Sequence, residues 1–223
     1  MNYTLFSDFT CVECYALNEF LVARGTAAYA RWKWVQGQPS LPPLMTLFDY
    51  RARAKLEAEI EEVRRRAPAL EIALPQGNPN TSRAIVAAAA VMRFHAVAAA
   101  AFRTAVFRAY WLDGTDLSLP AALQRLADAA HVPRVVDLDH PEAEEMAEAW
   151  ELDWSVERLG GVPRVIRSDG KILWGLKPEP ELIAYFQSGT PTARRSGLNA
   201  AAPEAAEEGL DLPRQDSNLR PGD

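Results

Sequence analysis

The chain has 223 residues, of which 48% are hydrophobic and 24% charged, which predicts a globular protein of one large domain, or of a small domain with an insertion. Its formal net charge of −6 argues against nucleic-acid binding, because phosphate contacts need a basic face. The first residues lack the charged and then apolar pattern of a signal peptide, which favours a cytoplasmic location.

The predicted elements begin with a strand at residues 3–6, then a helix that ends at Gly25, and a second strand at residues 30–35. Thr10 and Glu13 have the spacing of a capping box, so both are expected to support the first turn of the helix. In the second strand polar residues alternate with aromatic ones, and we expect one of its two tryptophans to be packed and the other exposed. The chain therefore opens with a β-α-β unit.

The middle of the chain has a helical pattern. Three prolines within residues 38–43 predict a loop and a domain boundary, and the residues beyond it predict an inserted helical domain. Its alanine-rich stretch at residues 84–102 is interrupted by Arg93 and His95, which argues against a membrane span. The first predicted helix of this domain has Leu56, Ile60 and Val63 on one face. Three further helices are predicted, at residues 82–112, from a Ser118 cap to Ala130, and at residues 141–158.

Two strands, at residues 162–166 and 172–174, return after the helices, and Asp169 and Gly170 between them predict a hairpin turn. A short helix at residues 179–187 follows. The order β-α-β, helices, β-β-α predicts an α/β, thioredoxin-like fold with a helical domain inserted between its two parts. The predicted domains are residues 1–48 with 157–189 (thioredoxin-like), 49–156 (helical insertion) and 190–223 (a disordered tail without aromatic residues, valine or isoleucine).

The two cysteines of the chain, Cys11 and Cys14, lie at the junction of the first strand and the first helix. A C-x-x-C motif in this position is typical of a thioredoxin-like redox site. Cys11 is the predicted nucleophile because a helix N-terminus favours an anion, and Cys14, one turn further in and less exposed, is the predicted resolving thiol. The three histidines are scattered and zinc needs about four ligands, so no metal site is expected. A pair of ordinary core cysteines is the alternative.

The two residues between the cysteines set the expected redox strength. Neither Val12 nor Glu13 offers positive charge or a hydrogen bond to a thiolate, and the carboxylate of Glu13 disfavours a second anion nearby. A less stable thiolate makes the reduced form less favoured, so we expect a moderate or weak oxidant.

A proline opposite the cysteines is the second expected part of the site. Val-Pro-Arg-Val occurs twice, beginning at Val132 and at Val162, and only the second copy is followed by a hairpin and a closing helix. We therefore predict that Val162 and Pro163 bind the substrate backbone, with Pro163 in the cis form that thioredoxin-like proteins have at this place. Gly160 and Gly161 allow the close approach that this requires.

Four segments spread over most of residues 1–187 carry a more specific resemblance: Ser7-Asp8-Phe9-x-Cys11, Asn80-Thr81-x-Arg83-Ala84, Phe107-Arg108-Ala109-Tyr110, and Gly161-Val162-Pro163 leading to Trp174-Gly175. They resemble the DsbA-like thioredoxin family, especially its branch of FrnE-type oxidoreductases and 2-hydroxychromene-2-carboxylate isomerases, with kappa-class glutathione transferases as relatives. The resemblance implies a thioredoxin fold with a helical insertion, and a redox or glutathione-linked activity.

Two features favour the oxidoreductase branch of this family. The isomerase and kappa branches resemble each other in having serine where Cys11 stands, and an acidic residue soon after the glycine that corresponds to Gly175. Here the cysteine pair is complete and Gly175 is followed by Leu176 and Lys177. One feature departs from the branch, since Val12 replaces the proline that is usual after the first cysteine.

The predicted function is thiol–disulfide exchange by Cys11 and Cys14 on a disulfide or dithiol substrate, either a protein or a small molecule, without a bound cofactor. One alternative is a glutathione-dependent isomerase or transferase on the same fold, with glutathione as co-substrate. The other is a non-catalytic interaction module. No membrane or nucleic-acid partner is expected, and the question of a homodimer stays open.

Overall fold

The computed structural model describes most of the chain up to residue 187. The predicted tail at residues 190–223 and the predicted helix end at Arg158 lie outside the described part. The described residues are 3–27, 30–134, 136–157 and 160–187.

A four-stranded mixed sheet, in the order β2-β1-β5-β6, forms the thioredoxin-like core. β1 (Tyr3–Ser7) is parallel to β2 (Ala30–Trp34) and antiparallel to β5 (Arg164–Arg167), which forms a hairpin with β6 (Ile172–Trp174). Parallel neighbours need a crossover connection, and α1 (Val12–Ala23) provides it. The sheet therefore joins the two distant parts of the chain, and the predicted fold class is confirmed.

β1 is a central strand of the sheet, and its position fixes the place of the cysteines. Leu5 lies in register with Trp32 on one side and Val165 on the other, and all three side chains are buried. Because both edges of β1 are paired, the chain leaves the sheet at a fixed point after Ser7 and enters the loop before Cys11.

Helices occupy most of the chain between β2 and β5. Each helix has one buried face. In the first of these helices the buried residues are Leu56, Ile60 and Val63, at the predicted spacing. No helix in the described part of the chain is long and apolar enough to cross a membrane. The helices after α1 are α2 (Tyr50–Arg66), α3 (Ser82–Phe94), α4 (Ala99–Trp111), α5 (Pro120–Ala129), α6 (Pro141–Glu157) and α7 (Glu179–Gln187).

Two details of the helical prediction are wrong. The helix predicted over residues 82–112 is broken at His95, and a short 3₁₀ turn at Ala96–Ala98 separates α3 from α4. Alanine is the best helix former, so the sequence has no local signal for this break, which depends on tertiary packing. Ser118 does not cap α5, because its hydroxyl bonds to the Asp116 carboxylate (2.6 Å), and Leu119 is the N-cap residue.

The expectation for the tryptophans of β2 is also wrong, because Trp32 and Trp34 are both buried. Residues i and i+2 of a strand share a face, and α4 side chains lie on that face, with the Arg103 guanidinium over the Trp32 ring (4.2 Å to its centroid). Trp34 stacks on Phe9, with 3.9 Å between ring centroids, and packs against Phe107 (5.7 Å). This aromatic cluster lies directly beneath the loop that leads to Cys11.

A two-stranded ribbon was not predicted. β3 (Thr46–Leu47) pairs with β4 (Gly77–Asn78), although each strand has only two residues. Gly77 is required there, since a Cβ atom would lie 2.6 Å from the Thr46 carbonyl oxygen. The Tyr110 hydroxyl donates to the Gly77 carbonyl oxygen (3.1 Å), which attaches the ribbon to α4.

Candidate active site

Cys11 is the N-cap residue of α1, directly before the first helical turn. Its backbone N–H donates to the Asp8 carbonyl oxygen (3.2 Å), and its own carbonyl accepts from the Tyr15 N–H (3.0 Å). The side chain is partly exposed. The thiol therefore lies at the positive end of the helix, where unpaired N–H groups stabilise an anion.

The predicted capping box of Thr10 and Glu13 is wrong. The N-cap position has no side-chain cap hydrogen bond, and the Thr10 N–H donates to the Asp8 carboxylate (3.1 Å). Because Asp8 already fixes this loop, the helix begins later than a Thr10 cap would require. Thr10 still lines the cavity at Cys11, as does Glu13.

Cys14 is fully buried one turn into α1, and both cysteines are free thiols. Burial raises the pKa of Cys14 well above its usual value, and the hydrogen bond with Cys11 raises it further. The nearby Ser7 hydroxyl and the Asp8 N–H oppose this rise. The pair thus consists of one accessible thiol and one that stays protonated in the resting protein.

Alkylation should distinguish the two thiols. Iodoacetamide is expected to modify Cys11 of the reduced, folded protein and to leave Cys14 unmodified at pH about 8, since the raised pKa and the burial of Cys14 both suppress its thiolate. Peptide mass mapping measures the two positions separately. Both should react in denaturant, and equal reactivity in the folded protein would contradict the assignment of Cys14 as the protected thiol.

The segment at Val162 and Pro163 faces Cys11. The peptide bond between them is cis, as expected, and the Cys11 thiol donates to the Val162 carbonyl oxygen (Sγ–O 3.4 Å). The Pro163 carbonyl accepts from the Gly175 N–H (3.0 Å), which holds this segment against the end of β6. Gly160 has a positive φ of 72°, a conformation that glycine adopts without strain. The structure thus places the predicted proline segment against Cys11.

Glu13 is tied to two other parts of the chain and is not the isolated anion that the sequence suggested. Its carboxylate accepts from the Arg66 guanidinium (3.2 Å) at the end of α2 and from the Leu176 N–H (3.2 Å). Arg66 also donates to the Leu176 carbonyl oxygen (2.7 Å). Gly175 leaves room for the Glu13 side chain, since an added Cβ would lie 3.0 Å from the carboxylate. These contacts hold α1, α2 and the segment after β6 together beside Cys11.

A double-mutant cycle tests this connection. Glu13→Ala and Arg66→Ala are each expected to lower the free energy of unfolding by about 1 kcal/mol, with a coupling of about 0.5–1 kcal/mol. Both side chains are only about one-third exposed, at 30% and 31%. The more exposed pair Arg53 and Glu57 is the control, with an expected coupling of about 0.3–0.5 kcal/mol. Equal coupling in urea unfolding of the two pairs would show that the Glu13 contacts add nothing specific.

Asp8 is a buried carboxylate whose role the sequence alone did not indicate. It accepts from the N–H groups of Gly37 (2.6 Å) and Thr10 (3.1 Å), and burial raises its pKa. Gly37 has to be glycine for this approach, since a Cβ atom would lie 2.9 Å from the Asp8 carboxylate. The only sequence signal for Asp8 is its place in the segment Ser7-Asp8-Phe9-x-Cys11, which resembles the DsbA-like family. Arg66 has no sequence signal at all, because it is distant in the chain.

The cavity in front of Cys11 has a volume of about 380 Å³. It joins the cysteine motif to the proline segment and to one face of α2. In the described part of the chain no three His, Cys, Asp or Glu side chains are grouped in a way that could hold a metal ion. The lining residues are Asp8, Thr10, Cys11, Val12, Glu13, Gly37, Gln38, Glu59, Glu62 and Val162.

Comparison with known proteins supports the fold. No protein-family model and no curated protein matches the chain. Among solved structures, a probable DsbA oxidoreductase from Streptomyces coelicolor is 17% identical (TM-score 0.66, covering 86% of this chain and 92% of that one). A 2-hydroxychromene-2-carboxylate isomerase is 18% identical (TM-score 0.64, 84% and 95%). The cytosolic disulfide reductase DsbM from Pseudomonas aeruginosa, also solved with glutathione, is 12% identical (TM-score 0.62, 84% and 97%). This chain therefore has the DsbA-like thioredoxin fold that the sequence resemblance implied.

Proposed function

We propose that this chain is a thiol–disulfide oxidoreductase that uses Cys11 as the nucleophile and Cys14 as the resolving thiol. The observation that carries the proposal is the arrangement of the two thiols. Cys11 is accessible at the N-terminus of α1 and 3.4 Å from the Val162 carbonyl oxygen, while Cys14 is buried one turn away. An accessible thiol with a second thiol within reach is what disulfide exchange requires.

The reaction has two exchange steps. The Cys11 thiolate attacks one sulfur of the substrate disulfide, a mixed disulfide forms, and the other substrate sulfur leaves as a thiolate. Cys14 then loses its proton and attacks the Cys11 sulfur, so that the Cys11–Cys14 disulfide forms and the second substrate sulfur leaves. The cysteine pair is oxidised by two electrons and the substrate disulfide is reduced to a dithiol. The same steps in reverse oxidise a dithiol.

We propose further roles for the groups around the two thiols. Cys11 attacks from the N-terminus of α1, and the segment at Val162 and Pro163, whose Val162 carbonyl oxygen lies against the Cys11 thiol, receives the substrate backbone. The buried Ser7 hydroxyl and the Asp8 N–H are the groups that would stabilise Cys14 when it becomes a thiolate in the second step. A moderate or weak oxidising strength remains the expectation.

The experiment that tests the proposal compares the wild-type protein with Cys11→Ser in insulin reduction and in oxidation of a dithiol peptide. Loss of activity to the uncatalysed rate is expected, because serine cannot form the mixed disulfide. Circular dichroism and thermal unfolding confirm that the variant is folded, which is expected since Cys11 is partly exposed. Unchanged activity in Cys11→Ser would refute the proposal and favour a non-catalytic module.

Glutathione chemistry is the second candidate function. It is supported by the structural similarity to an isomerase of 2-hydroxychromene-2-carboxylate and to DsbM, which was solved with glutathione. Tight glutathione binding in calorimetry, with no redox cycling of the cysteine pair, would favour this candidate. We propose a cytoplasmic location for either activity, and DsbM is described as cytosolic.

A further inference from the structure

We propose that Glu59 receives a basic side chain of a polypeptide substrate, so that this site selects polypeptide disulfides with a basic residue near the cysteine over glutathione. The proposal names the substrate class of the thiol–disulfide exchange proposed above, and it rests on that function. Its basis is the charge and shape of the space around Cys11.

The cavity at Cys11 is lined by carboxylates. Asp8, Glu13, Glu59 and Glu62 all contribute to it, and none of its lining residues in the described ranges is a lysine or an arginine. A disulfide that reacts at Cys11 therefore brings its neighbouring groups against acidic side chains. Opposite charges attract across such a contact and like charges repel, which sets specificity and the rate of association.

Three of these carboxylates are already engaged. Arg66 bonds to both Glu13 (3.2 Å) and Glu62 (2.6 Å), and Arg65 also pairs with Glu62. Asp8 is buried and accepts two backbone hydrogen bonds. The negative charges of these three carboxylates are therefore largely compensated within the protein and offer little attraction to a ligand.

Glu59 is the carboxylate that remains available. Its only ion pair among the described residues is a long one with Lys55 (3.8 Å), on the same helix. The Glu59 side chain is 51% exposed and that of Lys55 is 80% exposed, so solvent weakens this pair. An incoming lysine or arginine of the substrate can therefore replace Lys55 at Glu59 at small cost.

Glu59 also lines both the cavity at Cys11 and a neighbouring groove. A groove of about 560 Å³ continues from the cavity, and Thr10, Gln38 and Glu59 line both. The groove has an apolar side on which Leu47 is 69% exposed. Its other apolar and aromatic lining residues are Leu41, Phe48, Ala52, Leu56 and Tyr110. A polypeptide chain can occupy both spaces at once, with its cysteine at Cys11 and apolar side chains in the groove.

Asn78 gives an independent indication of a polar ligand in this groove. It lines the groove, is 9% exposed, and its Oδ1 atom has no hydrogen-bond partner among the described residues. An unpaired buried carbonyl costs free energy, which a backbone N–H of a bound polypeptide would recover. Lys55 and Asp49 are the other charged groups that line the groove, and their charges offset each other.

Glutathione fits this charge pattern poorly. It carries two carboxylates and one ammonium group, so it brings a net negative charge into a cavity that is lined by carboxylates when its sulfur reaches Cys11. The lining residues offer no lysine or arginine at Cys11 to pair with them. A basic peptide, in contrast, brings a charge that Glu59 can bind.

The test uses the reduced protein and three peptides, each with one cysteine that is activated as its thiopyridyl disulfide. The peptides have the same length and the same apolar residues, and differ only in the residue next to the cysteine, which is lysine, glutamine or glutamate. Attack by Cys11 on the peptide sulfur forms the mixed disulfide and releases thiopyridone, which is measured by absorbance. The thiopyridyl disulfide of glutathione is the fourth substrate. The rate of each disulfide with the protein is divided by its rate with free mercaptoethanol, which corrects for the intrinsic reactivity of that disulfide.

At low salt the lysine peptide is expected to react about tenfold faster than the glutamate peptide and glutathione. This ratio should fall as salt is raised from about 0.01 M to about 0.5 M, because screening shortens the range of the interaction. Glu59→Lys should abolish or invert the preference. Glu57→Lys is the matched control, since Glu57 has the same 51% exposure on the same helix but does not line the cavity, and it should keep the preference.

The outcomes separate this inference from the proposed function. If thiopyridone release is no faster with the wild-type protein than with Cys11→Ser, the proposed function fails. If release depends on Cys11 but glutathione reacts as fast as the lysine peptide, or Glu57→Lys changes the preference as much as Glu59→Lys, selection by Glu59 is refuted while the function stands.

Discussion

Replacement of Cys14 by alanine is expected to stop the exchange reaction after its first step, with the substrate held on Cys11 as a mixed disulfide. Cys11 remains accessible at the N-terminus of α1 and can still attack. The second step requires the Cys14 sulfur, and no other cysteine exists in the chain. A species that the wild-type protein passes through quickly should therefore accumulate in the variant.

Alanine is a better replacement than serine at this position. Cys14 is fully buried within the hydrophobic core, where a serine hydroxyl would carry a desolvation cost that alanine avoids. Alanine removes only the sulfur and leaves a small void. The variant should therefore fold, which thermal unfolding can verify before the exchange reaction is measured.

Intact mass measurement under non-reducing conditions detects the trapped species. After incubation with a peptide disulfide, Cys14→Ala should gain the mass of one half of the peptide disulfide, and dithiothreitol should remove it. Cys11→Ala is the control and should gain nothing, because Cys14 stays buried and protonated. Release of the substrate by Cys14→Ala at the wild-type rate would show that Cys14 does not resolve the intermediate.

The parts of the site that the sequence predicted are those determined by local order in the chain. The C-x-x-C motif has to lie at the start of α1 because the apolar strand before it and the helical pattern after it leave only that junction. Val162 and Pro163 could be selected over the copy at Val132 because a hairpin and a helix follow them. For these two parts of the site, the order of the elements along the chain was sufficient for the prediction.

The parts that were missed depend on contacts between distant segments. Arg66 reaches Glu13 because α2 ends beside α1, and Gly37 approaches Asp8 because β2 lies beside β1. Neither contact has a spacing that a single sequence reveals. The capping box failed because the Asp8 carboxylate, to which the distant Gly37 N–H donates, also accepts from the Thr10 N–H and fixes the loop before α1.

Replacement of Trp34 by alanine is expected to cause the largest loss of stability among these variants. Removal of a buried tryptophan costs about 3–5 kcal/mol, a large part of a typical total of about 5–15 kcal/mol. Trp34 is 1% exposed and stacks on Phe9, whose carbonyl oxygen accepts from the indole N–H of Trp111 (3.0 Å). The void would therefore lie under the loop that positions Cys11, and exchange activity should fall together with stability.

The variant Trp34→Phe separates the effect of ring stacking on stability from the effect of the indole N–H. The indole N–H of Trp34 has no partner among the described residues, so its loss removes a buried unpaired donor, while a phenyl ring can still stack on Phe9. We expect a cost of about 1–2 kcal/mol, well below that of alanine. Tyr50→Ala, at an aromatic residue that is 85% exposed, is the control and should change stability by less than about 0.5 kcal/mol.

Urea unfolding followed by circular dichroism gives the free energies, and thermal unfolding should show a loss of about 10 °C or more for Trp34→Ala. If Trp34→Ala cost no more than Tyr50→Ala, the aromatic cluster would not support the active-site loop. If Trp34→Phe were as damaging as Trp34→Ala, the shape of the indole itself would be required, because neither stacking on Phe9 nor the unpaired N–H could then explain the loss.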